Sequence, residues 1–191
     1  MKSLLSCCVI SLIFLFPTTS RASDFEAAVT SETAQFTFRS DSSLIGWGGA
    51  ELGLGLFYNE NSDYVGQMSL MQRRQASKNN PLTLGVGARL YLGDLDDINQ
   101  TIAAVAIGGE IRYTIPGVMP MALYLTGHYA PKITSFSDTD EILDINLGFQ
   151  IEILPQTTAF VGYRSLEIDT DRVSGYEMDD DRVHLGVRFT F

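Results

Sequence analysis

Cysteine is almost missing from this chain. Only Cys7 and Cys8 occur, side by side near the start, so no disulfide framework and no thiol chemistry is available to the rest of the sequence. Basic residues are scarce too: 13 lysines and arginines stand against 23 aspartates and glutamates, for a net charge of -10. A surface of that sign excludes nucleic acid as a partner. Beyond the N-terminal segment, no stretch approaches the roughly 18 unbroken apolar residues that a membrane-spanning helix requires. Histidine occurs twice and tryptophan once. No spacing of His, Cys, Asp or Glu has the form of a metal motif, and the acidic clusters lack the EF-hand glycine and distal glutamate, so the sequence implies neither metal nor cofactor.

What is present divides the chain in two. In Met1–Ala22, Lys2 precedes an apolar core from Leu4 to Phe16, and Ser20-Arg21-Ala22 forms a small-x-small site before Ser23. This pattern predicts a secretory signal peptide at residues 1–22, too short in its apolar core to span a bilayer. Leu4-Leu5-Ser6-Cys7 is superficially like a lipoprotein box, but no apolar region precedes Cys7. Removal of the segment takes both cysteines, Lys2 and Arg21 but no acid. The remaining chain then has 11 basic against 23 acidic side chains, or -12.

Residues 23–191 read as one all-β domain. In Asp181–Phe191, Val183, Leu185, Val187, Phe189 and Phe191 fall on one face of a strand, and Arg182, His184, Gly186, Arg188 and Thr190 on the other. The period is two without error. Leu143, Ile145, Leu147, Phe149, Ile151 and Ile153 similarly oppose Asp144, Asn146, Gly148, Gln150 and Glu152. Further alternating runs start at Gly48, Tyr64, Leu82, Ala103, Met121 and Ala159. Several reach the ~9–11 residues with which a tilted strand crosses the hydrocarbon. One face of each is almost wholly aliphatic, with Tyr58, Tyr113, Tyr129 and Tyr163 toward the ends. The other carries glycine, alanine, acids and arginines. That is the distribution of a membrane barrel, apolar outside and polar inside, rather than of a soluble core.

A barrel is also the one form in which strands can enter lipid, because an open sheet edge leaves backbone groups without partners. The pattern therefore predicts an antiparallel transmembrane β-barrel of 8 to 10 strands. Eight strands are clear from Gly48 onward, and residues 33 to 40 add a ninth. Nine would put the two termini on opposite sides. Ten requires Asp24 to Val29 to be a strand in a cramped hairpin, and eight requires everything before Gly46 to lie outside the wall; ten is preferred. With the C-terminus on the periplasmic side, the turns at Ala76 to Pro81, Gly117 and Thr157 lie there too. The loops at Asn59, Asp94, Ser135 and Asp171 then face outward, the two longest polar loops among them.

The last strand, with apolar residues at every second position and a terminal Phe191, resembles the C-terminal signature of bacterial outer-membrane barrels. The resemblance implies that Val183, Leu185, Val187, Phe189 and Phe191 form an assembly signal read by the barrel-assembly machinery, and that the partners are outer-membrane lipid and lipopolysaccharide of a Gram-negative cell. More narrowly, the chain resembles the YfaZ family of predicted outer-membrane proteins. The resemblance rests on the Gly-rich strand Glu51 to Tyr58, the strand end Gly127-His128-Tyr129-Ala130-Pro131, the triplet Gly162-Tyr163-Arg164 and the terminal Phe. It lends no catalytic residue, and it implies location in the cell outer membrane.

The candidate site is the interior face. Glu51, Arg89, Glu110, Arg112, Asp144, Glu152, Arg164, Arg182 and Arg188 are expected to face the lumen, where they either line a conducting path or pair with one another and fill it. A lumen of eight to ten strands is narrow enough for side chains to fill, and the arginine fork matches carboxylates two N–H groups at a time. The acidic groups Asp94/Asp96/Asp97, Asp138/Asp140/Glu141 and Glu177/Asp179/Asp180/Asp181 are expected at the outer rim, as solvated loops or, alternatively, as bridges through divalent cations to lipopolysaccharide phosphates. Trp47 is expected as an interfacial anchor. His128 and His184 face inward. His128 with Ser135 or Ser137 is the one arrangement with which the chain could act as a lipid-modifying enzyme. The functional expectation is a small structural or narrow-channel, porin-like outer-membrane barrel without enzymatic activity. A lipid-modifying enzyme and a soluble periplasmic β-domain are the alternatives.

Overall fold

The computed structural model describes residues 23–42, 49–78, 80–96, 98–177 and 183–191. The expected signal peptide, Trp47, Asp97, Asp179 to Asp181 and Arg182 lie outside the described residues. Among those described, twelve strands form in chain order: β1 (Asp24–Val29), β2 (Thr33–Asp41), β3 (Glu51–Asn59), β4 (Tyr64–Gln75), β5 (Leu82–Leu95), β6 (Gln100–Ile115), β7 (Met121–Ala130), β8 (Ser135–Ser137), β9 (Thr139–Leu154), β10 (Thr157–Thr170), β11 (Tyr176–Glu177) and β12 (Val183–Thr190). Ten of them close an antiparallel barrel. Each pairs with its neighbour in sequence around the ring, with β7 joined to β9 and β10 to β12, and β12 returns to β1. The two short strands are additions at the loop end: β8 pairs with β6 and β11 with β10.

Ten strands are reached because the chain from Ser23 to Ser40 does form a hairpin. Its turn is tight for a local reason. The Thr30 hydroxyl oxygen accepts hydrogen bonds from the backbone N–H groups of Glu32, at 3.1 Å, and Thr33, at 2.9 Å, a side-chain turn that reverses the chain without a glycine. β1 then has β2 on one side and β12 on the other. Ser23 and Phe191 exchange two backbone hydrogen bonds of 2.9 Å, which places both ends of the described chain at the same rim. The loop between β3 and β4 is held by Asn59, whose carbonyl accepts from the Asp63 N–H and whose amide donates to the Asp63 carboxylate, both at 2.9 Å. Between β9 and β10 the turn is only Pro155–Gln156, with Gln156 at φ 67°.

The outward face is apolar. Leu54, Leu56, Val86, Ile107, Ile111, Leu123, Leu147 and Leu185 are all exposed, as are Tyr58, Tyr113, Tyr129 and Tyr163. Along β12 the outward set Val183, Leu185, Phe189 and Phe191 is exposed too, with Val187 half-buried between them.

One expectation about the interior is corrected. The lumen is not polar throughout. Toward the loop end it is filled by Phe57, Val65, Tyr91, Leu95, Ile102, Ala104, Ala106, Ala130, Ile142, Leu166 and Ile168, all almost fully buried. The cause is strand length: β5 and β10 have 14 residues and β6 and β9 have 16, well beyond the ~9–11 needed to cross the hydrocarbon. Leu95, Ile102, Ile142 and Ile168 sit on the extra turns of ladder, where the alternation of faces continues but the wall stands clear of the expected lipid belt. There the inside of the barrel is a small soluble-type core.

Candidate functional site

Below the apolar zone the lumen is charged, and the charges are ordered. Arg188, on β12, donates from Nη2 to Glu26 Oε2 at 2.6 Å and from Nε to the same oxygen at 2.9 Å. Arg39, on β2, grips Glu26 with two N–H groups, at 2.8 and 3.2 Å, and its Nε lies 3.6 Å from Glu51 Oε1. Arg73 Nη1 pairs with the other Glu51 oxygen at 2.5 Å. Its Nη2 and Nε reach Glu110 at 2.9 and 3.1 Å. Arg112 Nε completes the series on Glu110 Oε1 at 2.9 Å. Four guanidinium groups and three carboxylates thus alternate along the inside of β12, β1, β2, β3, β4 and β6, and both ends of the series are arginine.

A second cluster centres on Asp144, on β9. It accepts from Arg89 Nη1 at 2.6 Å, from Arg164 Nη2 and Nε at 3.0 and 3.2 Å, and from the Tyr91 hydroxyl at 2.8 Å. Arg164 also donates to the Gln35 side-chain oxygen at 2.6 Å. Strand alternation explains why these groups meet: each occupies an inward position, and a barrel this narrow brings inward positions of opposite walls into reach. A carboxylate buried to 2% side-chain exposure, as Asp144 is, is stable in its charged form only with such partners.

Of the residues singled out from sequence, Glu51, Arg89, Glu110, Arg112, Asp144, Arg164 and Arg188 belong to these two clusters. The side chain of Glu152, on the same face of β9, forms no ion pair or hydrogen bond with another described residue. Sequence reasoning missed Glu26, Arg39, Arg73 and Gln35. The signal was available in the alternation of Phe36 and Phe38 with Gln35, Thr37 and Arg39, but no face was assigned to a hairpin whose existence was open. Met71 and Arg73 were obscured because Met71 itself points inward, 4% exposed.

His128 is 2% exposed, and neither ring nitrogen has a hydrogen-bond partner. It stands beside Asp144 of β9 and Gly108 of β6. Ser135 instead donates its hydroxyl to the Pro131 carbonyl at 3.1 Å, so the described chain makes no Ser-His bond at this position. His184 packs edge-on against Phe160, with ring centroids 5.9 Å apart. The loop carboxylates are dispersed as well. Asp138 accepts from the Thr101 N–H, Asp140 pairs with Lys132 and Asp169 accepts from Ser174. Among the described residues no three His, Cys, Asp or Glu groups converge to hold a metal.

Between the two clusters and the rim where the termini meet lies a cavity of about 240 Å³. Six arginines and five carboxylates line it, with Ser69, Tyr124, Thr126 and Asn146 among the uncharged groups. Side-chain exposure falls from 30% at Glu51 and 25% at Arg73 to 2% at Asp144, so the cavity is wettest at the terminal rim.

A closed antiparallel sheet with an exposed aliphatic outer wall and a charged, internally paired lumen defines the class of transmembrane β-barrels. Within that class the chain belongs to the YfaZ precursor family, whose model matches residues 1–191. No curated protein matches it. Among solved structures it is similar to the outer membrane channel DcaP of Acinetobacter baumannii, at 13% identity and a TM-score of 0.40, over 92% of this chain and 60% of that one. The chain thus spans about 60% of the length of that channel.

Proposed function

We propose that this protein is a small integral barrel of the outer membrane with an occluded lumen, serving a structural role rather than passing solutes. The observation that carries the reading is the apolar plug at the loop end. Tyr91, Leu95, Ile102, Ile142 and Ile168 are buried to 1% exposure or less, and a water-filled path would have to displace all of them. The charged half of the lumen supports the same reading, since Arg39, Arg73, Arg89, Arg112, Arg164 and Arg188 are each paired with a carboxylate and fill the space with fixed ion pairs. The outer-membrane location is supported by the apolar outer wall, by the family's designation as precursors and by the expected signal peptide. Planar-bilayer recording tests the reading. The refolded barrel is expected to insert without resolved conductance steps, whereas steady, repeatable steps would contradict it and restore the narrow channel.

A further inference from the structure

One wall of the terminal-side cavity carries polar groups that the protein leaves unused. Arg112, on β6, donates from Nε to Glu110 and makes no other hydrogen bond or ion pair with a described residue, although a guanidinium has five N–H donors. Its guanidinium carbon lies over the Tyr124 ring, 5.6 Å from the centroid, a cation–π contact that keeps the group against this wall while leaving its remaining N–H donors unengaged. The hydroxyls of Tyr124 and Thr126 have no partner among the described residues, and the buried Asn146 side-chain oxygen has none either. The ladder makes these four side chains neighbours. Arg112 is opposite Tyr124, Tyr124 and Thr126 are successive inward residues of β7, and Thr126 is opposite Asn146 of β9. All four line the same cavity.

The charge of the cavity has the sign opposite to that of the molecule. Its lining holds six arginines against five carboxylates, in a chain of net charge -10. Asp24 is the carboxylate at the rim that forms no ion pair with these arginines, and the four deeper ones are each shared between two guanidinium groups. A blind, low-dielectric chamber with surplus positive charge focuses anions. Hydroxyl and amide dipoles around a free guanidinium edge are what an oxyanion uses as donors, and the Asn146 amide can present its NH₂ by rotation about its last bond.

We propose that Arg112, Tyr124, Thr126 and Asn146 form a binding site for one small oxyanion of the phosphate class, entering from the rim where the termini meet. The site goes beyond the structural role, because an occluded barrel can hold such an anion without transporting it. Inorganic phosphate is the probe. The full barrel, refolded in zwitterionic detergent, is titrated calorimetrically with phosphate at ionic strength held constant with chloride. The expected result is saturable binding of one phosphate per chain, at least tenfold weaker in Arg112→Gln, partly retained in Arg112→Lys and unchanged in Glu152→Gln. Heat from phosphate no greater than that from chloride, or full affinity in Arg112→Gln, overturns the proposal. A heat-modifiable gel shift identifies the variants that still fold. If Arg112→Gln does not, Thr126→Ala takes its place, with a severalfold loss expected and undiminished affinity overturning the proposal. Bilayer conductance is read separately, so failure of this site and failure of the occluded-barrel reading are distinct results.

Discussion

Glu26 and Arg188, 162 residues apart in sequence, stand directly opposite each other where the first strand meets the last. Their 2.6 Å contact lies on the seam that closes the barrel, and Arg39 holds the same carboxylate from the other side. The pair couples the least obvious strand of the chain to the clearest one.

Removing the charge at Glu26 leaves two guanidinium groups facing each other across that seam. Glu26→Gln is expected to lower stability by about 3 kcal/mol, the scale for breaking one partner out of a buried ionic group. Urea unfolding of the refolded barrel in detergent measures it, and a change indistinguishable from zero would mean that the seam is held by its backbone ladder alone.

Asp144 and Glu152 lie on the same inward face of β9 and are predicted to differ sharply. Asp144→Asn weakens contacts to Arg89, Arg164 and Tyr91 at once, for an expected loss of about 3 kcal/mol. Glu152→Gln has no ionic partner to lose and is expected to stay within about 0.5 kcal/mol of wild type. Equal effects of the two would contradict the pairing described for the lumen.

The alternation of faces made the barrel legible from sequence, because a period of two assigns a side to every residue once strand limits are set. Strand limits were the weak point. The acidic stretch Gly93 to Asn99 interrupts the alternation that starts at Leu82, and acidic residues follow soon after Arg164 in the run from Ala159, so the sequence puts Leu95, Leu166 and Ile168 in or beside loops and does not reveal the apolar plug. Reading 24 to 40 without assigned faces hid Glu26 and Arg39, and with them the continuity of the charged series. Which arginine meets which carboxylate depends on the stagger of the closed sheet. Composition and spacing carry no record of that.

Two glycines on adjacent strands make the packing of the lumen testable. A Cβ on inward-facing Gly108 would collide with the Gly127 carbonyl oxygen and lie 2.6 Å from the His128 ring, whereas one on outward-facing Gly127 would meet nothing within 4 Å. Gly108→Ala is therefore expected to cost about 1–3 kcal/mol through overpacking, and Gly127→Ala to remain within about 0.5 kcal/mol of wild type. Thermal unfolding in detergent ranks the two, and the reverse order would contradict the inward orientation of His128.

The plug is expected to behave as a core. Ile142, fully buried among its apolar neighbours, should lose about 2–5 kcal/mol on replacement by alanine, the range for a cavity left in a packed interior. A neutral Ile142→Ala would indicate that the loop end is wet and the lumen less occluded than described.

The most direct test of the whole account is the electrophoretic mobility of residues 23–191, refolded in detergent and run unheated beside a boiled sample. A closed transmembrane barrel should remain folded in the denaturing gel when unheated and change mobility on boiling. A protein that folds and stays soluble without detergent, with one mobility under both conditions, would contradict the membrane barrel and leave the exposed aliphatic wall to be explained as an interface with other protein.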